Sequence, residues 1–250
     1  MEITLFTALI LFITGIWAGA VNSVAGGGTF FSFPILLLLG MPPVLANTTN
    51  KFALWFASIA GVTGFWQEIK EQKERLAFYF ICGFIGSLIG SLLLLATPPG
   101  TFEAMIPWLM LTATCLFAFG KKLINRVRGA HAIPKPATAT FQTIIGIYGG
   151  FFAAGMGMLM MALYELSGIK SVNHMNGLKT FVGLGINGIS AITFLIFGVI
   201  DWHVALILLS GALLGGYGGA ILSKKVPDAI LRNIIIGYGV VMTVYFFSKY

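Results

Sequence analysis

Long apolar stretches recur along the whole chain and constrain its fold more than any other feature. Windows of this kind lie near 3–24, 44–66, 76–97, 102–120, 138–154, 173–199, 204–222 and 229–247. A helix of about 20 residues covers the roughly 30 Å hydrocarbon core of a bilayer. Only 9% of the residues are charged, against roughly 25% in soluble domains. The sequence therefore predicts an all-α polytopic membrane protein with about 8–10 membrane helices, and it excludes a water-soluble or disordered chain.

Two apolar runs, 29–40 and 157–167, are too short to cross the membrane as helices. Each follows a glycine cluster, so each half of the chain is predicted to open with a helical hairpin that is broken within the membrane. Glycine permits sharp turns and close backbone contacts. The glycines predicted to act as hinges or points of close backbone approach are Gly26, Gly27, Gly28, Gly155 and Gly157.

The positive charge is concentrated in four of the polar connections. Lysine and arginine occur in 67–75, 121–137, 168–172 and 223–232, whereas 40–44, 98–101 and 200–203 contain neither. Cytoplasmic loops of membrane proteins carry this excess of cations. The net charge of +7 is thus explained by topology, which leaves nucleic acid without support as a partner. The same rule predicts a multi-pass membrane protein with both termini outside.

The chain also matches itself at a spacing of 128 residues. Gly40 then pairs with Gly168, Lys51 with Lys179, and Pro99 with Pro227. The charge map assigns equivalent connections to opposite sides, which predicts two inverted-topology repeats, each with a broken hairpin plus three spanning helices. We expect a single transmembrane domain over 1–250, with repeat one at about 1–120, a cytoplasmic connection at about 121–137 and repeat two at about 138–250. This architecture is typical of secondary transporters, whose substrate site lies near the midplane.

Lys51 and Lys179 are the two lysines within predicted spans. Each lies about 8 residues from the nearest turn, or roughly 12 Å deep. A central lysine costs about 2.5–3.5 kcal/mol to insert, so such a residue usually marks a functional path and has a partner. Few carboxylates lie nearby in the sequence. The lysines are therefore predicted to converge near the midplane and bind an anionic substrate.

Polar side chains precede both lysines and supply hydrogen-bond donors at the start of a helix, which suits an oxyanion. Others lie at the first glycine turn. The candidate substrate-binding residues are Lys51, Lys179, Asn47, Thr48, Asn50, Asn176, His174, Asn22, Ser23 and Thr29. The alternative is that the polar residues cap helix ends and the lysines extend to the membrane surface. His174 is also a candidate proton carrier.

Other glycines repeat at four-residue spacing and are interpreted as packing faces between helices. These rows are Gly15/Gly19, Gly86/Gly90, Gly146/Gly150 and Gly211/Gly215/Gly219. The glycine clusters lack the Lys-Ser/Thr ending of a nucleotide-binding loop. Transport is therefore expected to run on a gradient, with a proton or sodium as the coupling ion and with no cofactor or metal.

Two other classes of function are weighed. An intramembrane protease of the rhomboid or zinc type needs Gly-x-Ser-Gly or His-Glu-x-x-His, and neither motif occurs in the sequence. A membrane scaffold has no use for two symmetric lysines within its spans. The protein is thus predicted not to be an enzyme.

Several of these segments resemble a known family. The glycine turn at 18–29, the Phe33-Pro34 pair and the Asn47–Lys51 run in the first half, with 149–157, 176–179 and Asp201-Trp202 in the second, are similar to the sulfite exporter TauE/SafE family. The resemblance implies transport of a small sulfur-containing anion, such as sulfite, sulfoacetate, another sulfonate or thiosulfate, across the bacterial inner membrane by alternating access. The alternative is another small organic or inorganic anion.

Overall fold

The computed structural model describes residues 3–25, 27–127, 132–222 and 228–250. In these segments the chain forms helices and no strands. The helices are α1 (Leu5–Ala25), α2 (Gly28–Leu38), α3 (Pro43–Gly64), α4 (Trp66–Glu71), α5 (Lys73–Ala96), α6 (Pro99–Val127), α7 (Lys135–Phe151), α8 (Met156–Leu166), α9 (Val172–Ile196), α10 (Trp202–Leu222) and α11 (Asp228–Lys249). The all-α membrane fold predicted from the sequence is confirmed.

Among the described residues, five helices are long and apolar enough to cross a membrane: Leu5–Asn22, Lys73–Ala96, Pro99–Val127, Val172–Ile196 and Trp202–Gly219. Large apolar side chains such as Leu5, Leu214 and Val241 are exposed on the outside of the bundle. Exposure of this kind is costly in water and favourable in lipid. The molecule is therefore a multi-pass membrane protein.

The two short helices, α2 and α8, have 11 residues each, so each is about 16 Å long. Both begin at the glycine clusters, as the sequence predicts. Both end at a glycine in the left-handed conformation, Gly40 with φ 82° and Gly168 with φ 80°. Most residues of α2 are buried, including Phe30, Phe33 and Leu36, because this half-helix lies largely inside the protein. One face of it, formed by Phe31, Ile35 and Leu38, is partly exposed or exposed.

The predicted glycine packing faces are confirmed, and they hold the bundle together at two equivalent crossings. In one crossing, a Cβ on Gly215 of α10 would overlap the carbonyl oxygen of Ile16 in α1. In the other, a Cβ on Gly90 of α5 would overlap the carbonyl oxygen of Ile147 in α7. Small residues permit this backbone approach, on which helix association in lipid depends.

Helix contacts follow the pairing that a duplicated chain would produce. The first helix of each half packs on a later helix of the other half, α1 on α10 and α7 on α5. The pairs α3–α10 and α9–α5 are likewise equivalent, and α3–α9 and α6–α11 join counterparts directly. These contacts support two structural repeats. Their opposite orientation in the membrane stays a prediction.

Two segments differ from the expected boundaries. The polar connection 67–75 contains the short helix α4, whose Glu68 packs beside Gly177 of α9. The connection expected at 121–137 begins as helix, because α6 continues to Val127. Its buried face ends at Gly120, and residues 121–127 continue the helix with side chains that are exposed or partly exposed.

Candidate functional site

The polar run at the start of α3 lies where three elements meet. Asn47, Thr48, Thr49 and Asn50 are 0% exposed, and Lys51 is 1% exposed. They face the end of α7, the start of α2 and the turn between α9 and α10. The position is fully buried, so each polar group needs a partner inside the protein.

Lys51 finds its partner at the end of α7. Its ammonium donates hydrogen bonds to the carbonyl oxygen of Gly149, at 2.6 Å, and to that of Gly150. The Asn47 amide donates to the next carbonyl, Phe151, at 2.8 Å. The last carbonyls of a helix have no partner within the helix and carry negative partial charge. Lys51 therefore satisfies a helix end inside the membrane, and its charge does not require a substrate.

Other members of the run are bonded to neighbouring backbone and side chains. The Thr48 hydroxyl donates to the Val199 carbonyl at 2.5 Å, and the Thr49 hydroxyl accepts from the Asp201 amide at 3.0 Å. The side-chain amide oxygen of Asn50 accepts a hydrogen bond from the Ser32 hydroxyl at 2.5 Å. The contacts show these residues joining α3 to its neighbours. Their direct binding of substrate stays a prediction.

Lys179 occupies the equivalent place in α9 but has a different environment. Its ammonium donates to the Asn176 side-chain oxygen at 3.0 Å. The side chain is partly exposed, and within the described residues no carboxylate lies within salt-bridge distance of it. Lys179 thus retains donors that a ligand can use.

The structure does not bring the two lysines together. The Lys51 ammonium lies 5.7 Å from the centre of the Phe194 ring. Phe194 follows Lys179 by fifteen positions in the continuous helix α9, a distance of about 22 Å along its axis. The expectation that both ammonium groups converge on one anion is therefore wrong. Side chains in a helix tilt toward its N-terminus, so lysines in antiparallel helices such as α3 and α9 diverge.

A cavity of about 740 Å³ opens between the α4–α5 corner and the start of α9. Its cations outnumber its carboxylates: the charged and titratable lining residues are Lys70, Glu71, Lys73, Glu74, Arg75, Lys170 and His174. His174 Nε2 lies 2.6 Å from a Glu71 carboxylate oxygen. An excess of positive charge in a concave surface raises the local concentration of anions. The cavity adjoins the end of α9 that carries Asn176 and Lys179.

The residues of the first glycine turn are positioned by packing. Asn22 donates to the Ser58 hydroxyl at 3.0 Å, and Thr29 is buried in the first turn of α2. A Cβ on Gly27 would overlap the Phe117 ring, and one on Gly28 would overlap the Ala18 carbonyl oxygen. The Ser23 side chain and Gly26 lie outside the described residues.

The second break, between α7 and α8, contains two residues with positive φ, Ala153 at 74° and Gly155 at 75°. The Tyr148 hydroxyl donates to the Ala154 carbonyl at 2.5 Å. Gly157 is buried in the first turn of α8. Side chains thus replace the missing helical hydrogen bonds at this break, as backbone within a membrane requires.

Sequence reasoning missed two buried polar residues in the second half. Gln142 and Tyr164 are 0% exposed, and the Gln142 amide and the Tyr164 hydroxyl have no hydrogen-bond partner among the described residues. A signal was present for Gln142, since it is the only glutamine of the chain that lies within an apolar stretch. In the same described part, no group of three or more His, Cys, Asp or Glu converges on a metal site.

Comparison with known proteins agrees with this architecture. The family model described as sulfite exporter TauE/SafE matches residues 11–246. A probable membrane transporter protein of Haemophilus influenzae is 28% identical over 247 residues, covering 97% of this chain and 95% of the relative. Probable membrane transporter proteins ORF9 of Sinorhizobium and YfcA of Escherichia coli K12 are each 26% identical, covering 90% and 94% of this chain and 87% of each relative.

Proposed function

Because the chain belongs to the sulfite exporter TauE/SafE family of membrane transporters, we propose that it moves a small sulfur-containing anion by alternating access. Sulfite, sulfoacetate, other sulfonates and thiosulfate are the candidate cargoes. The membrane is the bacterial inner membrane, and both termini lie outside. A proton or sodium gradient drives the movement, since the sequence carries no nucleotide-binding motif.

The main support for the proposal is the environment of Lys179. Lys179 lies within the apolar helix α9. Among the described residues its ammonium has one hydrogen-bond partner, the neutral side-chain oxygen of Asn176. An ammonium in such surroundings is stabilised by a negative ligand. Lys179 supplies the charge that holds the anion, and Asn176 orients the ammonium.

The cationic cavity at the α4–α5 corner provides the cytoplasmic entrance to this site. Lys70, Lys73, Arg75 and Lys170 line it together with two glutamates. Their net positive potential draws anions toward the start of α9. His174 and Glu71 close one side of the entrance by their contact of 2.6 Å, and a proton on His174 couples entry to the gradient.

The glycine breaks supply the points at which the helices bend between the inward-open and outward-open states. Gly155 is in a left-handed conformation, and Gly27 and Gly28 permit close contacts that a larger residue would prevent. Inverted repeats with interrupted helices alternate in this way, by rocking one group of helices against another.

Transport of labelled sulfite into proteoliposomes tests the proposal. Lys179→Gln should lower the rate at least about tenfold, because loss of one charged hydrogen bond removes about 1.5–3 kcal/mol of binding. Lys121→Gln is the matched control, since Lys121 is exposed on α6 away from the cavity and should transport normally. Undiminished transport by Lys179→Gln would contradict the site. A wild-type protein that carries acetate but none of the sulfur anions would contradict the cargo.

A further inference from the structure

Three polar atoms on two buried side chains of the second repeat have no hydrogen-bond partner among the described residues. They are the two amide atoms of Gln142 and the hydroxyl oxygen of Tyr164, on side chains that are 0% exposed. Buried polar groups in folded proteins are nearly always hydrogen-bonded, and each exception needs a specific explanation. The penalty is greatest in an apolar interior, which describes the middle of this bundle.

The two side chains approach the same part of α5. Gln142 Nε2 lies 3.2 Å from the position that a Cβ on Gly83 would occupy. Tyr79 precedes Gly83 by one helical turn, and its ring centre lies 4.8 Å from that of Tyr164. Gln142 and Tyr164 therefore lie within about two helical turns of each other, around the Tyr79–Gly83 segment.

A cavity of about 350 Å³ lies beside this place and is lined by Tyr79 and Thr138. Arg75 and Lys135 line it, and they outnumber its one carboxylate, Glu74; Tyr79, Thr138 and Ser167 form polar parts of the wall. Thr138 precedes Gln142 by one turn on α7, and Tyr79 precedes Gly83 by one turn on α5. The polar wall of the cationic cavity thus ends within about one helical turn of Gln142 on α7 and of Gly83 on α5.

The first repeat shows that the fold does not need these polar groups. The equivalent glycine crossings align α7 with α1 and α5 with α10, and the 128-residue spacing aligns α8 with α2. The counterparts of Gln142, Tyr164 and Tyr79 are Leu11, Leu36 and Val204, all 0% exposed. Apolar side chains fill the equivalent place between α1, α2 and α10, so the polar set serves something other than packing.

We propose that Gln142 and Tyr164 form a neutral anion-binding subsite, which donates hydrogen bonds to the oxygens of the transported anion once it has passed Arg75 and Lys135. The inference rests on the proposed function and adds residues that bind without charge. The Gln142 amide N–H and the Tyr164 O–H are the donors. Neutral donors hold an anion in a low-dielectric site yet release it more easily than an ammonium does, which suits a transporter.

Ligand-induced thermal shifts of the purified protein test this inference. The variants are Gln142→Met and Tyr164→Phe, which remove the unpartnered atoms and keep most of the volume. Leu11→Met and Leu36→Met are the matched controls in repeat one. The probes are sulfite, thiosulfate, acetate and inorganic phosphate, and the shift of the melting temperature with concentration gives the apparent Kd for each.

We expect both variants to melt at the wild-type temperature or above it without anion, because they no longer bury an unpaired polar group. For the anion that stabilises the wild type, their apparent Kd should rise about tenfold, while both controls keep the wild-type value. Unchanged Kd values would overturn the subsite and leave sulfite transport standing. Lower melting temperatures in both variants would also overturn it, since they would show that Gln142 and Tyr164 have structural partners.

The choice of probes separates this inference from the cargo. A wild type stabilised by acetate or phosphate alone contradicts the sulfur-anion proposal, and loss of that stabilisation in Gln142→Met still supports the subsite. A wild type stabilised by none of the four anions overturns both.

Discussion

Lys51 and Lys179 occupy matching positions in the two repeats and make different contacts. Lys51 is 1% exposed and donates to two carbonyl oxygens at the end of α7. Lys179 is partly exposed and donates to one neutral side chain, Asn176. The same residue type therefore has two different surroundings: Lys51 bonds a helix end, whereas Lys179 is the lysine that we propose for substrate binding.

The buried polar residues near the two lysines are also distributed differently in the two repeats. Repeat one places polar residues on α3, at Asn47 and Asn50, where repeat two has the buried Met175 and Leu178. The buried side chains Gln142 and Tyr164 of repeat two lie instead on α7 and α8. These polar residues therefore occupy different helices in the two repeats.

The largest expected effect distinguishes the two lysines by stability. Lys51→Met should lower the free energy of unfolding by about 3 kcal/mol or more, because it leaves two buried carbonyls without their charged donor. Lys179→Met should change it by less than about 1 kcal/mol, since one hydrogen bond is lost and a costly charge is removed. Unfolding by SDS titration of the purified proteins measures both. Equal losses would show that the lysines share one role.

Substitutions at the two glycine crossings should lower the stability of the protein by similar amounts. Gly90→Ala and Gly215→Ala each place a methyl group against a backbone carbonyl of the facing helix, which should cost about 1–3 kcal/mol. Gly218→Ala is the control, because its Cβ would meet nothing within 4 Å. Thermal melting in detergent should show similar losses for the first two variants and none for the control. A loss in only one of them would break the symmetry.

Thr48 and Asn176 occupy another pair of matching positions. Substitutions of these residues should have smaller effects, one on stability and the other on the Km for transport. Thr48→Val removes the hydrogen bond to the Val199 carbonyl and should cost about 1 kcal/mol of stability while the Km for transport stays unchanged. Asn176→Leu should raise the Km for sulfite and leave stability within about 0.5 kcal/mol, because Asn176 orients the ammonium of Lys179. A raised Km for Thr48→Val would show that Thr48 of repeat one also takes part in substrate binding.

The smallest effect on stability is expected at the exposed pair of His174 and Glu71. Their contact of 2.6 Å should contribute less than about 1 kcal/mol, so His174→Gln should fold normally. Transport assayed with and without a proton gradient then tests the coupling role. If His174 carries the proton, the variant loses the response to the gradient, and a full response would exclude that role.

Much of the fold could be predicted because it depends on local patterns. The length of each apolar run predicts the helices, the glycine clusters predict where α2 and α8 begin, and the four-residue glycine spacing predicts the crossings. The extension of α6 to Val127 was missed because lysine and arginine are as common in helices as in loops. The opposite directions of Lys51 and Lys179 follow from the tilt of helical side chains.

Other parts of the site depend on contacts between residues far apart in sequence. The partner of Lys51 is a helix end near Gly150, and backbone carbonyls leave no trace in the sequence. The unpartnered state of Tyr164 depends on what surrounds it, since most buried tyrosines have a partner for the hydroxyl. These two features required coordinates, whereas Lys179, Asn176 and His174 were identified from sequence as candidates.

The bond from Lys51 to the end of α7 has a mechanical consequence. If α3 and α7 separated, an ammonium and two carbonyls would be left without partners in a low-dielectric interior, so these helices, one from each repeat, travel as one piece. The glycine contacts join α1 to α10 and α5 to α7 in the same cross-repeat manner. The closest helix contacts thus join the two halves of the chain, so we expect any movement between rigid groups of helices to divide each repeat rather than to separate one repeat from the other.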